Sequence, residues 1–376
     1  MSLRSPMIRL AEINTDDLPA HTAFDNTNDT NRPALLPFVL TVLEQGRNLV
    51  LPTQFNLRFK HHSQKSAPPS NNEVEVLSCQ VSANELAQAA WGSAEVQRPK
   101  PAKLADEHWY ARRSFHHNLN SKRNAPGTAS WEEFVYGLRD NHSKNEANFT
   151  PTIYDAHYIL DWNEELQSQL TTSPEAKREG ATHFSNATMA LYEMCHSMPG
   201  VVQPRCFPVL VLTADVSESE FIAVTLPVNM SSFPGSFYSS KRNKHEGADS
   251  QQKKSVTLGN YVAVERVYKY VKQSTHMHTD RATGETSEHK HNPTAHHIHS
   301  HDGAPEEEIE WVMATASDAR GGIPVVFQRM GIPGAIVKDV GLFLKWIHKV
   351  PDEEIRKQLE RHRMATQGSG PPPQDV

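Results

Sequence analysis

The order of elements in the C-terminal half constrains this chain most: a run of strands, then one long amphipathic helix. Segments 152–160, 183–195, 207–214, 220–228, 260–271 and 310–316 are mostly rich in Val, Ile, Tyr and Thr. Turn chemistry such as Met198-Pro199-Gly200 and Ala214-Asp215 bounds them. No helix of crossover length separates the later ones. Parallel neighbours need a crossover of a dozen or more residues, so this spacing predicts an antiparallel meander.

The helix that follows is read from Gly331-Ile332-Pro333-Gly334, which opens it, to Pro351, which ends it. Ile336, Val337, Val340, Phe343, Leu344 and Ile347 form its apolar stripe, with Lys338, Asp339, Lys345 and His348 opposite. A charged helix over 352–364 continues past the bend. A stripe of this length must be buried, and the nearest apolar surface is a face of the sheet.

Upstream, residues 33–48 carry Leu35, Leu36, Phe38, Val39, Val42 and Leu43 near one helical face, and a weaker helix is expected over 82–91. Residues 108–116 alternate as a strand. Residues 128–143 read as a helix, with Ser130 and Glu133 as a capping box and Trp131, Phe134, Val135 and Leu138 as its stripe.

Between these elements lie polar, breaker-rich tracts at 61–72, 92–106, 239–255, 272–308 and 366–376. Their apolar surface is too small to offset the entropy of ordering, and they are expected to stay disordered. The expected division is a helical N-terminal extension with a flexible linker over 1–107, one domain over 108–350 interrupted by the insertion 272–308, and a charged helix with a tail over 351–376.

The 376 residues carry 38 basic and 44 acidic side chains, a net charge of −6, with no Lys/Arg stripe for nucleic acid. No apolar run is long enough to span a membrane, and residues 1–15 hold none of signal-peptide length. The three cysteines, Cys79, Cys195 and Cys206, form no CxxC pair. An intracellular, cytoplasmic protein is expected.

In order along the chain, several pieces resemble one known group. They are Trp109-Tyr110-Ala111-Arg112-Arg113-Ser114, Gly127-Thr128-Ala129-Ser130-Trp131-Glu132-Glu133-Phe134, Met194-Cys195-His196-Ser197-Met198-Pro199 through Pro204-Arg205-Cys206-Phe207, and Glu310-Trp311-Val312-Met313 through the Pro333-Gly334 helix. Over roughly 109–347 the chain resembles the START-like (StAR-related lipid-transfer) superfamily, and within it the fungal branch catalogued as domain of unknown function 3074. The resemblance implies an α+β helix-grip fold, a curved antiparallel sheet wrapped around the C-terminal helix. It also implies a lipid, sterol or polyketide in a central cavity, and it assigns no catalytic residue, cofactor or metal. A twisted sheet that wraps a helix without collapsing onto it leaves an apolar pocket, typically on the order of 300–1,000 Å³.

Arg113 shares a strand face with Trp109, Ala111 and Phe115. An inward arginine is costly to bury unless a carboxylate or a ligand head group meets it. It is a candidate polar anchor, one half of a structural ion pair with Glu193 or Glu265, or an edge-strand arginine snorkelling to water. Tyr192, Met194, Glu265, Trp311, Met313, Val340, Phe343, Leu344 and Ile347 are the other cavity candidates, several of which serve equally as ordinary core. Trp346 lies off the main stripe, a position that suits a lipid portal, a membrane surface or a neighbouring loop. Arg205, after a Pro-rich loop, suits a structural fork that satisfies several backbone carbonyls.

Eight of the 21 histidines fall between His276 and His301, but Ser, Thr, Gly, Asp and Lys surround them, so no dedicated metal site is expected. GxSxG, HExxH, GxGxxG and Walker motifs are missing. The leading expectation is noncatalytic binding or transfer of a hydrophobic small molecule, with transient membrane contact possible in that role. One alternative is a cyclase or aromatase on a polyketide-type substrate, drawing on Tyr192, His196, Arg113 and Glu265. The other is a scaffold that recruits partners through its insertions.

Overall fold

The computed structural model describes residues 7–24, 32–90, 105–173, 183–200, 202–231, 233, 236–240, 255–272, 306–323 and 325–367. Most of the tracts expected to be disordered, with the histidine-rich segment and the tail, lie outside the described residues. The tract at 61–72 does not: it contains a strand.

Eleven strands form the sheet. They are β1 (Ile13–Asn14), β2 (Lys60–Ser66), β3 (Glu73–Val81), β4 (Glu107–His117), β5 (Ile153–Asp161), β6 (Ser185–His196), β7 (Arg205–Ser217), β8 (Glu220–Asn229), β9 (Thr257–Leu258), β10 (Asn260–Val271) and β11 (Glu307–Asp318). Their order is β2-β3-β4-β11-β10-β8-β7-β6-β5, antiparallel throughout, with the two-residue strands β1 and β9 added in parallel to β8 and β7. The expected meander is present, and all six strands read from its spacing are found.

The helices are α1 (Leu35–Val50), α2 (Pro52–Arg58), α3 (Ala83–Ala90), α4 (Ser121–Asn124), α5 (Trp131–Phe134), α6 (His142–Phe149), α7 (Asn163–Thr172), α8 (Val325–Ile347) and α9 (Asp352–Gln367). Sequence and structure differ in three places. The segment before residue 107 supplies more than helices, because β3 pairs with β4 and β2 pairs with β3. The expected helix over 128–143 is broken: after α5 comes a π-helical turn, Val135–Arg139, then an extended Asp140 and a left-handed Asn141 before α6 begins. Finally, α8 starts at Val325 and carries Pro333 inside it. A proline removes one helical N–H, which costs stability without ending a helix that packing holds.

Both faces of the sheet are covered. On one, α1 packs Leu36, Val39, Val42 and Leu43 against Val224, Val264, Val312 and Ala314. On the other, α8 brings Ile336, Val340, Phe343, Leu344 and Ile347 against Phe134, Val76, Trp311 and Met313. Alternate residues of each strand serve the two layers, so most strands are apolar on both sides. α8 runs over β3 and β4 and against α6. Its approach is close at Gly341, where a Cβ would stand 2.4 Å from the Pro68 carbonyl oxygen.

Arg205 forms the fork expected of it: its guanidinium donates to the carbonyls of Ala319 (2.6 Å), Gln203 and Arg320 (3.2 Å). The Ser130/Glu133 capping box is also present, and Glu133 extends it by accepting from the Ser121 N–H at 3.0 Å.

Candidate functional site

The space between sheet and terminal helix is the place to look. The register of three strands sets a row there: Arg112 on β4 faces Met313 on β11, which faces Glu265 on β10. Directly opposed side chains on one face of an antiparallel sheet are nearest neighbours. Two residues along β11, Trp311 sits on the same face. From above, α6 contributes His142, Glu146 and Phe149, spaced i, i+4 and i+7 on one helical face, and α8 contributes Asp339. Together these residues line a cavity of about 20 Å³.

Arg112 is its centre. The side chain is 1% exposed, its guanidinium carbon lies 3.7 Å over the Trp311 ring, and Nη2 is 3.5 Å from Glu265 Oε2. That carboxylate oxygen also accepts from the Trp311 indole N–H at 2.8 Å. Nε and Nη1 of Arg112 are buried and have no hydrogen-bond partner in the chain. A buried charged donor left unmet is expensive, of order 1–3 kcal/mol or more, so two on one guanidinium call for an explanation.

The carboxyls around it are perturbed. Glu146 is pushed up to about 8 by burial and by the charges of Glu265 and Asp339. Asp339 rises to about 6: burial and Glu265 lift it, and Arg112 only partly holds it down. Both line the cavity and keep some accessible area. The Tyr261 hydroxyl is pushed well up by burial and by the same carboxyls. Behind Trp311, burial and the Arg112 charge hold His116 neutral, down to about 3. Near pH 7 Glu146 therefore carries a proton and adds an O–H donor to the two unmet nitrogens of Arg112.

This cavity differs from the expected one. It has room for about one water molecule, because Phe134, Trp311 and Phe343 pack edge-on and tilted where a large hollow was anticipated, with ring centroids 5.0–5.7 Å apart. Its lining is charged as much as apolar. Asp339, read as lying opposite the apolar stripe, in fact faces inward.

Of the ten residues expected to line a cavity, Glu265, Trp311 and Met313 line this one. Val340, Phe343, Leu344 and Ile347 pack in the surrounding core, and Met194 packs with Ile153, Val209 and Val211 farther along the sheet. Tyr192 lines a second hollow, described below. Arg113 shares the Trp109/Ala111 face as read, but that face belongs to the α1–α2 layer. Its guanidinium pairs with Glu75 at 2.6 Å, not with Glu193 or Glu265, and lies 5.9 Å from the Phe55 ring centroid.

Tyr192, His196, Arg113 and Glu265, the acid/base set of the cyclase reading, do not converge: His196 packs edge-on against Phe207 and the others occupy three separate places. Trp346 stacks on Tyr136. Among the described residues no group of His, Cys, Asp or Glu is placed to hold a metal ion, and no helix is long and apolar enough to cross a membrane.

The residues that sequence reading missed are Arg112, Glu146 and Asp339. Arg112 was the one with a usable signal, since adjacent arginines on a strand must point to opposite faces.

A family model described as "Protein of unknown function (DUF3074)" matches residues 109–347. No curated protein matches the chain. Similar solved structures include human STARD10, at 10% identity over 86% of this chain and 90% of that one, with a TM-score of 0.41. Human StAR-related lipid transfer protein 5 is similar at 9% identity over 87% and 100%, with a TM-score of 0.40. The lipid transfer and protein localization domain of human StarD13 (DLC2) is similar at 8% over 80% and 98%, with a TM-score of 0.37.

Proposed function

The chain belongs to the DUF3074 family, and we propose that it is a noncatalytic binding protein for a hydrophobic small molecule whose acceptor-rich end is held by Arg112. The observation that carries this reading is the fully buried guanidinium with two unmet donors in the cavity beneath α8. With Glu146 protonated, it and the two unmet nitrogens of Arg112 are donors, and a carbonyl oxygen satisfies them without bringing a further carboxylate beside Glu265 and Asp339. The walls nearest that end are Trp311, Met313 and Phe149, which suit an apolar body.

A cavity of about 20 Å³ takes the polar end alone. In this reading the body of the ligand enters as α8 draws back from the sheet. Val340, Phe343, Leu344 and Ile347 then exchange contacts with Trp311 and Met313 for contacts with the ligand. Each ligand CH₂ buried returns about 0.8 kcal/mol, so a modest aliphatic or ring system offsets the loss of helix packing.

The test is native mass spectrometry of the purified chain before and after incubation with vesicles containing phospholipid, sterol and free fatty acid. A one-to-one adduct is expected, and it should be lost in Arg112→Met, with folding checked by the melting transition. No uptake from any class would end the proposal.

A further inference from the structure

A second and larger hollow, about 190 Å³, lies beside the first and shares His142 with it. Its floor is the concave face of β6 and β7, where Thr188 opposes Thr213 and Ala190 opposes Val211, with Tyr192 at one end. Its walls come from the chain at Arg139–Ser143 and from Asn163 at the start of α7. Two of its residues, Asn141 and Asn186, hold positive φ angles of 48° and 50°. The register of β6 on β7 also slips between Ser185 and Thr188, so the strand bulges where the hollow opens.

The charges in the wall are already spent. Arg139 donates to Asp140 at 2.8 Å and to Asp215, and Asp215 also accepts from the Asn186 amide at 2.7 Å. One cation against two carboxylates gives an entering anion no attraction. Asp140 and Asp215 both pair with that one arginine. The hollow's other polar groups both donate and accept. The Ser143 hydroxyl is buried, at 2% exposure, with no hydrogen-bond partner in the chain. Thr188 and Thr213 share a single hydrogen bond at 2.8 Å, which leaves one hydroxyl hydrogen and several lone pairs. Asn163 uses its carbonyl oxygen on the Met189 N–H at 2.9 Å and keeps its NH₂. Because a carbonyl can only accept, His142 Nδ1 must donate to Leu138, which leaves Nε2 as the ring nitrogen open to a ligand.

We infer that this hollow is a binding site for a neutral polyhydroxylated group, a sugar ring or cyclic polyol. Hydroxyls are the one common ligand chemistry that meets separate donors and acceptors without bringing charge, and Ala190 and Val211 offer an apolar floor to the C–H face of such a ring. Its volume of about 190 Å³ suits one ring-sized group. The inference does not depend on what occupies the Arg112 cavity.

The test is ligand-observed NMR and calorimetric titration of the full chain with myo-inositol and D-glucose, with inorganic phosphate and choline as charged probes. Saturable polyol binding is expected, with neither charged probe competing. Ser143→Ala should weaken it about three- to tenfold, the worth of one neutral hydrogen bond. Asn163→Asp, which keeps the oxygen that ties Met189 but loses the NH₂, should weaken it by a similar factor, and both variants should melt with the parent. Hydrogen exchange should slow at 139–143 and 185–192 on binding. The inference is overturned by no saturable binding of either polyol, by tighter binding of phosphate or choline, or by equal polyol affinity in parent and both variants.

Discussion

Replacing Glu146 by Gln should flatten the pH dependence of stability. The Glu146 carboxyl is lifted from its ordinary value of 4.5 to about 8 by burial and by neighbouring carboxylates. A raised folded-state pKa means that the native chain holds its proton more tightly than the unfolded chain does. The stability from that proton is fully present below about pH 4.5 and is lost as pH rises through about 8. For a sealed group the slope is about 1.4 kcal/mol per pH unit inside that window. Glu146 keeps some accessible area, so roughly half that slope is the fair expectation, a loss of order 2 kcal/mol between pH 5 and 8. Gln has the shape of the protonated acid and does not titrate. Asp339, raised to about 6, contributes its own slope to both proteins and largely cancels in the difference. Urea unfolding at pH 5, 6, 7 and 8 should therefore show the variant gaining about 2 kcal/mol on the parent across the series. Parallel curves would refute the reasoning, because they would mean that Glu146 is ionised and solvated in the native chain.

Three further substitutions probe the layers around the site. Arg113→Gln should cost under about 1 kcal/mol, the worth of a partly exposed ion pair, and should leave lipid uptake by native mass spectrometry at the parent level. Gly137→Ala would put a Cβ 2.5 Å from Phe343 Cε2, and overpacking of that kind costs about 1–3 kcal/mol, visible as a lower melting temperature. Glu193 is fully buried and accepts from the N–H groups of Phe237, Tyr238 and Ser239 and from His157. Burial pushes its carboxyl up, but His157 and those N–H groups outweigh it and leave it below the usual range. Glu193→Gln turns an NH₂ onto these donors and should cost about 3 kcal/mol, with faster hydrogen exchange at 236–240. The parent's advantage over that variant should shrink on acidification, as Glu193 protonates.

The framework was legible because its signals are local. Strand boundaries follow from β-branched runs between breakers, and six spans from residue 152 onward were found within a few residues. The Ser130/Glu133 box marked a real helix start, and the fork geometry of arginine anticipated Arg205. Signals that depend on tertiary contact were not legible. β2 reads Lys-His-His-Ser-Gln-Lys-Ser, a polar run with no apolar face, and it is a strand because β3 offers it an edge. Within the π-turn at Val135–Arg139, Gly137 lets Phe343 and Trp346 come close, a contact made from the far end of the chain.

The central residue was misassigned for a reason that follows from the architecture. Period-two alternation shows that Arg112 and Arg113 point to opposite sides of β4, but it does not say which side faces α8. The usual guide is apolarity, and Trp109, Ala111 and Phe115 are the apolar set. That guide works when a sheet has one buried face. Here α1 covers the other face, so the more apolar side of β4 belongs to the α1 layer. The α8 side carries Tyr110, Arg112, Ser114 and His116, three of them nearly or fully buried. A core layer does not need that polarity, which costs stability wherever a donor is left unmet. In a chain whose two layers compete for the same strands, the buried face richer in polar side chains is the better guide to a ligand site, and on β4 that face is the one holding Arg112.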